Sequence, residues 1–299
     1  MDRFHSIQVF VKVADLGGFA AAARELTMSP PAVTRAVAAL EEHLRTRLFV
    51  RSTRALRLTE SGERFLSDSK RILAELGEAE ESAVGAHASP RGELRVTAPV
   101  LFGRLYVAPI IAGFLDRHPL VTCQTLFVDR VVNLMDEGLD VAIRIGELPD
   151  SALFATRVGS VRRVVVAAPE FLHAQGTPEH PRHLAGARVI QALAVDGGAE
   201  WRFQERGRPL SVRLTPRLRM NTNDAVIQLV LGGWGLSRLM SYQVAPYLAD
   251  GRLQTVLEDF EQPPLPVHVI HQEGRLVSKK VRTFVDDMVA RLRSDPAIN

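Results

Sequence analysis

The chain of 299 residues is longer than one ordinary domain, and at about 150 residues per domain it predicts two or three folding units. Hydrophobic residues at 46% and charged residues at 24% exclude a disordered chain, and the single cysteine, Cys123, excludes an intramolecular disulfide or a thiolate metal site. A net charge of +3 names no partner, no run approaches the ~18 apolar residues of a membrane span, and the start Met1-Asp2-Arg3-Phe4-His5 has no apolar leader pattern, so a cytoplasmic protein is expected.

Phe4, Ile7, Phe10, Val11 and Ala14 recur at helical spacing and predict a first amphipathic helix that ends near Gly17-Gly18. Residues 19–26 are alanine-rich and predict a second helix, separated from the next by only Thr27-Met28-Ser29. Ser29 is placed to cap a third helix with Pro30 and Pro31 in its first turn, where a missing amide costs little. Val33, Val37, Leu40 and Leu44 form its apolar stripe. Residues 51–59 then alternate apolar and polar around a short turn, the pattern of a small β-hairpin. Between His43 and Thr59 stand Arg45, Arg47, Arg51, Arg54 and Arg57 with no acid, which can form a positive surface; a merely solvated face is the plainer alternative.

From Thr59 or Ser61 a long helix carries Phe65, Ser69, Ile72, Leu76, Ala79, Ala83 and Ala86 as a heptad seam. Pairing with a second copy is the economical way to bury it, and packing on the chain's own C-terminal half is the alternative. Ser89-Pro90-Arg91-Gly92 reads as a hinge. Beyond it, strands at 94–97, 121–128 and 141–145 alternate with helices at 101–117 and 131–137, which predicts an α/β sheet with mostly parallel strands. A second run has a strand at 161–168, a helix at 169–175, strands near 187–192 and 214–220, and a helix at 224–231. A closing strand near 267–270 and a helix at 278–292 are expected to return to the first sheet. The domain reading is therefore 1–60, a linker helix and hinge at 61–90, and a two-lobed α/β domain at 91–299. Its lobes, about 91–162 with 267–299 and 163–266, would leave a ligand cleft between them.

His173, His180 and His183 invite a metal reading, yet they sit in or near Pro178-Glu179-His180-Pro181-Arg182-His183, a proline-punctuated loop, and no metal is expected. Trp201 and Trp234 are expected in the core or between lobes. Gly232-Gly233-Trp234-Gly235 opens no helix after a strand and fails as a dinucleotide fingerprint; no nucleophile elbow, phosphate loop or zinc-protease pattern occurs. Neither catalysis nor a cofactor is predicted.

Gly18-Phe19-Ala20-Ala21-Ala22-Ala23-Arg24-Glu25-Leu26, Met28-Ser29-Pro30-Pro31-Ala32-Val33-Thr34-Arg35, Leu40-Glu41, Leu48-Phe49-Val50-Arg51 and Leu58-Thr59-Glu60-Ser61-Gly62 together resemble the signature of LysR-type transcriptional regulators. The likeness runs on through Leu94-Arg95-Val96, Phe114-Leu115-Asp116-Arg117-His118-Pro119, Gly138-Leu139-Asp140-Val141-Ala142-Ile143-Arg144, Asn223-Asp224-Ala225 and Gly233-Trp234-Gly235-Leu236. It implies a winged helix-turn-helix on a long dimerisation helix, then a two-lobed domain similar to periplasmic binding proteins, commonly in a homodimer or homotetramer. Double-stranded DNA is the implied partner, with RNA polymerase and a small-molecule effector as further ones. The third helix would enter the major groove and the wing would lie along the backbone or minor groove.

On that resemblance Pro31, Thr34 and Arg35 match base- and phosphate-reading positions, Arg54 matches the wing arginine, Arg51 lies beside it, and Ser29 could direct amides at a phosphate. Pro30 departs from the glutamine common there and can neither donate to nor accept from a base. The implied effector pocket is bordered by Thr97, Pro99, Val100, Leu101 and Phe102, by Val128 and Asp129, by Arg144 to Gly146, and by Thr222 and Asn223 as caps of the next helix; Arg238 is an additional candidate. Helix N-termini favour anions, so a carboxylate effector is chemically reasonable, with Arg144 as charge partner unless it pairs with Asp129. Two alternatives stay open: an α/β solute-binding or enzymatic protein whose N-terminal helices only oligomerise, and a DNA-binding protein whose C-terminal domain assembles without a ligand.

Overall fold

In the computed structural model, which describes residues 2–51, 56–84, 89–148, 153–195, 198, 200–272 and 278–298, the chain divides into units Met1–Ala88 and Ser89–Asn299. Helix α1 (Arg3–Asp15) starts at Asp2, whose carboxylate accepts from the His5 amide at 3.2 Å, and buries Ile7, Val9, Phe10 and Val13. Gly17, at φ 64°, turns the chain into α2 (Phe19–Glu25). Helix α3 (Pro30–Leu44) buries Val33, Val37 and Leu40. Strands β1 (Phe49–Arg51) and β2 (Leu56–Leu58) pair antiparallel with Phe49 opposite Leu58, as the hairpin reading predicts; the residues at its tip, Arg54 among them, lie outside the described ones.

Helix α4 (Glu60–Val84) follows, with Thr59 at its start. The Thr59 hydroxyl accepts from the Gly62 amide at 2.9 Å and donates to the Arg47 carbonyl at 2.7 Å, which pins the helix start to the segment entering β1. Gly62 is required here, because a Cβ would collide with the Leu48 backbone carbonyl.

The rings of Phe10, Phe49 and Phe65 bring α1, β1 and α4 together: Phe10 lies 5.3 Å from Phe49 and 5.4 Å from Phe65, and Phe19 of α2 lies 5.8 Å from Phe49. This corrects the reading of the α4 seam. Phe65 is packed against the core of its own N-terminal unit, and Ser69 is fully buried. Lys70 pairs with Asp15 of α1 at 2.6 Å. Ile72 and Leu76 remain half-buried, while Ala86 lies outside the described residues.

The second unit holds a five-stranded sheet in the order β4 (Val121–Phe127), β3 (Gly92–Ala98), β5 (Val141–Ile145), β14 (Leu265–Gln272) and β6 (Leu153–Val161). Strand β3 is parallel to β4 and β5; β14 returns late in the chain and pairs antiparallel with both β5 and β6. Helices α6 (Ala108–Arg117) and α10 (Lys279–Arg293) cover one face, and Phe114 meets Phe284 at 5.1 Å. The second sheet orders β12 (Ser237–Met240), β7 (Arg163–Ala167) and β13 (Gln254–Val256), with a parallel pair of β8 (Ile190–Ala192) and β11 (Leu218–Met220) joined to it by a bridge from Val189 to Leu236. Helices α7 (Pro169–Gln175), α8 (Asn223–Leu231) and α9 (Ser241–Ala249) pack around it.

Several sequence expectations need correction. Residues 131–137 form a turn and no helix, because the Asn133 side chain accepts from the Met135 amide at 3.0 Å and Arg130 clamps Glu137 through two hydrogen bonds of 2.7 and 2.8 Å. The helix expected at 101–117 is present without a break, as α5 (Val100–Phe102), a π-helical turn Gly103–Val107 and α6, the π turn being the part spacing did not show. Gly103 lets that turn lie on the Phe127 ring, with no space for a Cβ. The hairpin of β9 (Glu200–Glu205) and β10 (Arg208–Arg213), and the β12–α9 pair, have no counterpart in the sequence reading.

Because Phe10 is fully buried against the rings of Phe49 and Phe65, Phe10→Ala is expected to destabilise the N-terminal unit by about 3–5 kcal/mol. Urea unfolding would show an early transition moved to lower denaturant with the transition of the second unit in place; a single unmoved transition would contradict this.

Candidate functional site

Helix α3 turns Val33 and Val37 inward, so Pro30, Pro31 and Arg35 stand exposed and Thr34 is half-buried at the edge of the same face. Ser29 occupies the cap position, but its hydroxyl makes no capping bond, contrary to the expectation; its carbonyl accepts from Ala32 at 2.9 Å and Val33 at 3.2 Å instead. With no N–H on either proline and the Ala32 amide turned inward, the helix start has little to offer a phosphate through its backbone. Thr34 and Arg35 are the polar side chains this part of the helix leaves accessible. Arg45 and Arg57 are also exposed, and Arg51 contributes its backbone to β1.

Glu41 links the C-terminal end of α3 to the hairpin. Its side chain is 5% exposed, and its carboxylate accepts from the Leu48 amide at 2.7 Å, the Phe49 amide at 3.1 Å and the Arg47 guanidinium at 3.0 Å. Burial pushes its pKa up, but the two amides and the Arg47 charge outweigh that and hold it below the usual carboxylate value.

In the second unit a cleft of about 160 Å³ is lined by Pro99, Val128, Asp129, Arg130, Val131, Arg144 and Ile145 from the five-stranded side, and by Ala194, Val195, Asn223, Met240, Tyr242 and Gln243 from the other. Of the residues expected from sequence it brings together Pro99, Val128, Asp129, Arg144, Ile145 and Asn223. The others serve elsewhere. Thr97 is buried with its hydroxyl on the Leu126 carbonyl at 2.6 Å, Leu101 and Phe102 belong to the core, and Val100 donates its amide to Asp129 at 3.0 Å. Gly146, at φ 118°, bonds the Pro266 carbonyl at 2.8 Å; Thr222 is exposed and its side chain caps nothing. Arg238 lies away from the lining: it is 5% exposed, stacks 4.9 Å from Trp201, and donates to the Arg202 carbonyl at 2.8 Å, a packing role inside the second sheet.

Arg144 and Asp129 form no ion pair. The Nη2 of Arg144 is buried without a partner, as is the Oδ1 of Asn223, which is 6% exposed at the start of α8. Burial lowers the pKa of Arg144, with Glu137 opposing and Arg130 reinforcing the shift. His268, opposite Arg144 on β14, is likewise lowered by burial. Arg130, Val131, Met240, Tyr242 and Gln243 were not foreseen as lining. The strand-to-helix junction at Met240 and Ser241 is the same type of feature as the Asn223 junction and was the signal available. His180 is held by Glu205 at 3.4 Å and by the edge of Phe260, and the described residues contain no group of three metal-ligating side chains.

Residues 4–63 match the family described as bacterial regulatory helix-turn-helix protein, lysR family, and residues 87–293 match the LysR substrate binding domain. The chain is 34% identical over 292 residues to an HTH-type transcriptional regulator of Xanthomonas campestris pv. campestris, spanning 96% of this chain and 85% of that protein. CrgA, a LysR-type transcriptional regulator from Neisseria meningitidis of known structure, is similar at 31% identity and a TM-score of 0.62, over 96% of this chain and 98% of that one. The Vibrio cholerae virulence activator AphB, at 24% identity and a TM-score of 0.62 over 96% and 98% of the two chains, shares the fold. These matches define the class, a DNA-binding transcriptional regulator with an effector-binding domain. The chain belongs to the LysR-type transcriptional regulator family.

Removing the Glu41 side chain orphans two buried amides, so Glu41→Ala is expected to cost about 2–3 kcal/mol in denaturant unfolding. With its folded pKa depressed, Glu41 contributes stability above the unfolded carboxylate value of about 4.3, and this is lost as pH falls through the lower folded value. Glu41→Gln should flatten that acid limb; parallel pH–stability curves for variant and parent would refute the assignment.

Proposed function

We propose that this regulator reads duplex DNA with the exposed edge of α3, through Pro31, Thr34 and Arg35, while the β1–β2 hairpin places Arg51 and Arg54 along the phosphate backbone. The exposed face of α3, with its apolar stripe turned inward, carries this reading. A major groove is wide enough for one helix, and an arginine there can donate twice to a guanine edge. With chromosomal DNA as its partner the protein works in the cytoplasm, as a homodimer or homotetramer in which the remainder of the α4 seam pairs between copies, and it acts on transcription through RNA polymerase. The domain functions follow: residues 1–60 bind DNA, 61–90 pair subunits, and 91–299 sense a small molecule in the cleft and change the spacing or bend of the bound operator. Catalysis has no part in this role.

Arg35→Ala is expected to weaken specific operator binding by about 1–3 kcal/mol in a gel-shift titration. Arg54→Ala, a backbone contact in this reading, should lower the slope of affinity against salt by about one released ion and weaken all sequences alike. Operator affinity unchanged in a protein with Thr34, Arg35 and Arg54 all replaced would refute the DNA-reading assignment.

A further inference from the structure

We infer that the effector is a compact monocarboxylate that also carries a separate hydrogen-bond donor, a hydroxyl or an ammonium group; the inference rests on the cleft being the sensing site. Two residues of the lining each carry a polar atom buried without a hydrogen-bond partner, within reach of an occupant only after a small side-chain adjustment, and the two atoms differ in kind. Arg144 Nη2 is a charged donor that calls for an anionic oxygen, and Asn223 Oδ1 is an acceptor that calls for an N–H or O–H. Leaving either unmet costs far more than a neutral contact gains, so an occupant that satisfies both is selected over one that satisfies neither.

The remaining charges set the valence of that occupant. Among the described lining residues Arg130 is clamped by Glu137, which leaves Arg144 as the cation without an ion pair, and Asp129 supplies a carboxylate to the same lining. One available positive charge beside one negative charge suits a monoanion and opposes a dianion, whose second carboxylate would meet Asp129. The volume, about 160 Å³, and the aliphatic surfaces of Pro99, Val128, Val131, Ile145, Val195 and Met240 ask for a short apolar body between the two polar ends.

The test uses the full-length protein and matched probes: butyrate, its gamma-hydroxy and gamma-amino derivatives, gamma-hydroxybutyramide and succinate, together with their six-carbon homologues. Titration calorimetry and thermal shift are expected to show a hydroxy or amino acid of one length binding at least about tenfold more tightly than the plain acid and the amide of that length, with the diacid weakest. The hydroxy and amino arms tell the two donors apart. Arg144→Gln should erase the margin of acid over amide, with Arg144→Lys restoring part of it. Asn223→Leu should erase the margin of the hydroxy or amino acid over the plain acid, with Asn223→Ser as the milder variant. Ligand-free melting curves confirm that each variant is folded. A plain acid or a diacid binding best, or no probe binding, overturns the inference. Val195→Trp, which fills the cleft, separates this from the wider reading: an effector of other chemistry lost on Val195→Trp leaves the cleft as sensor and sinks only the monocarboxylate class, whereas an effector indifferent to Val195→Trp sinks both.

Discussion

Strand β14 is the constraint on which the second unit depends. A chain that leaves the first sheet after β6, builds a second sheet, and must then pair eight residues between β5 and β6 has to cross between the sheets twice. The two crossings run side by side and are fastened together: Arg162, directly after β6, pairs with Glu261, shortly before β14, at 2.9 Å. Neither sheet is complete without this passage, since β14 supplies the buried Val267 and Val269 to the core that α10 covers. The cleft is the space such a passage leaves, and its lining is drawn from both sides for that reason.

The N-terminal unit depends on a different device. Its core is small, and two interactions hold its non-helical part to the helices: the aromatic contacts of Phe10 and Phe49, and the carboxylate of Glu41 on the amides at the start of β1. A hairpin of two three-residue strands has little stability in isolation. Fastened by Glu41 at one side and by Thr59 on the Arg47 carbonyl at the other, it becomes a rigid extension of α3 and α4.

The elements most legible in the sequence are those whose apolar spacing matches one period: α1, α3, β5, α7 and α10 lie where spacing placed them. The 131–137 segment misled because Val131, Leu134 and Met135 mimic helical spacing, while side-chain bonds from Asn133 and Arg130 close the turn first. Direction of pairing was misread too: the strands expected to be mostly parallel include β14, antiparallel to both neighbours, and the antiparallel set β12–β7–β13, since a buried strand reads the same in either direction. At the cleft, residues beside a recognisable junction, Asp129, Arg144 and Asn223, could be placed from sequence. Tyr242 and Gln243 were missed, because β12 is buried throughout and shows no alternation, which hid the strand-to-helix junction that would have pointed to them. Arg238 was misplaced for a related reason: a charge in a sequence suggests solvent or ligand, and nothing local shows that Trp201 and Phe203, more than thirty residues earlier, will stack on it.

How readily the two sheets can change their approach depends on what ties them across the mouth of the cleft. Arg104, in the π-helical turn, reaches Asp224 on α8 at 2.8 Å, but both side chains are about half exposed. An ion pair in that setting contributes at most about 1 kcal/mol and weakens with salt. The hinge pair of Arg162 and Glu261 is of another kind, for Glu261 is largely buried, one of its oxygens has no partner, and desolvation raises its pKa against the pull of Arg162. Were the sheets to change their approach on binding, as the proposed sensing requires, a ligand could bias that change only by the difference in its interaction energy with the two arrangements. Arg144 Nη2 and Asn223 Oδ1, buried without partners in residues on opposite sides of that space, are where such a difference would arise.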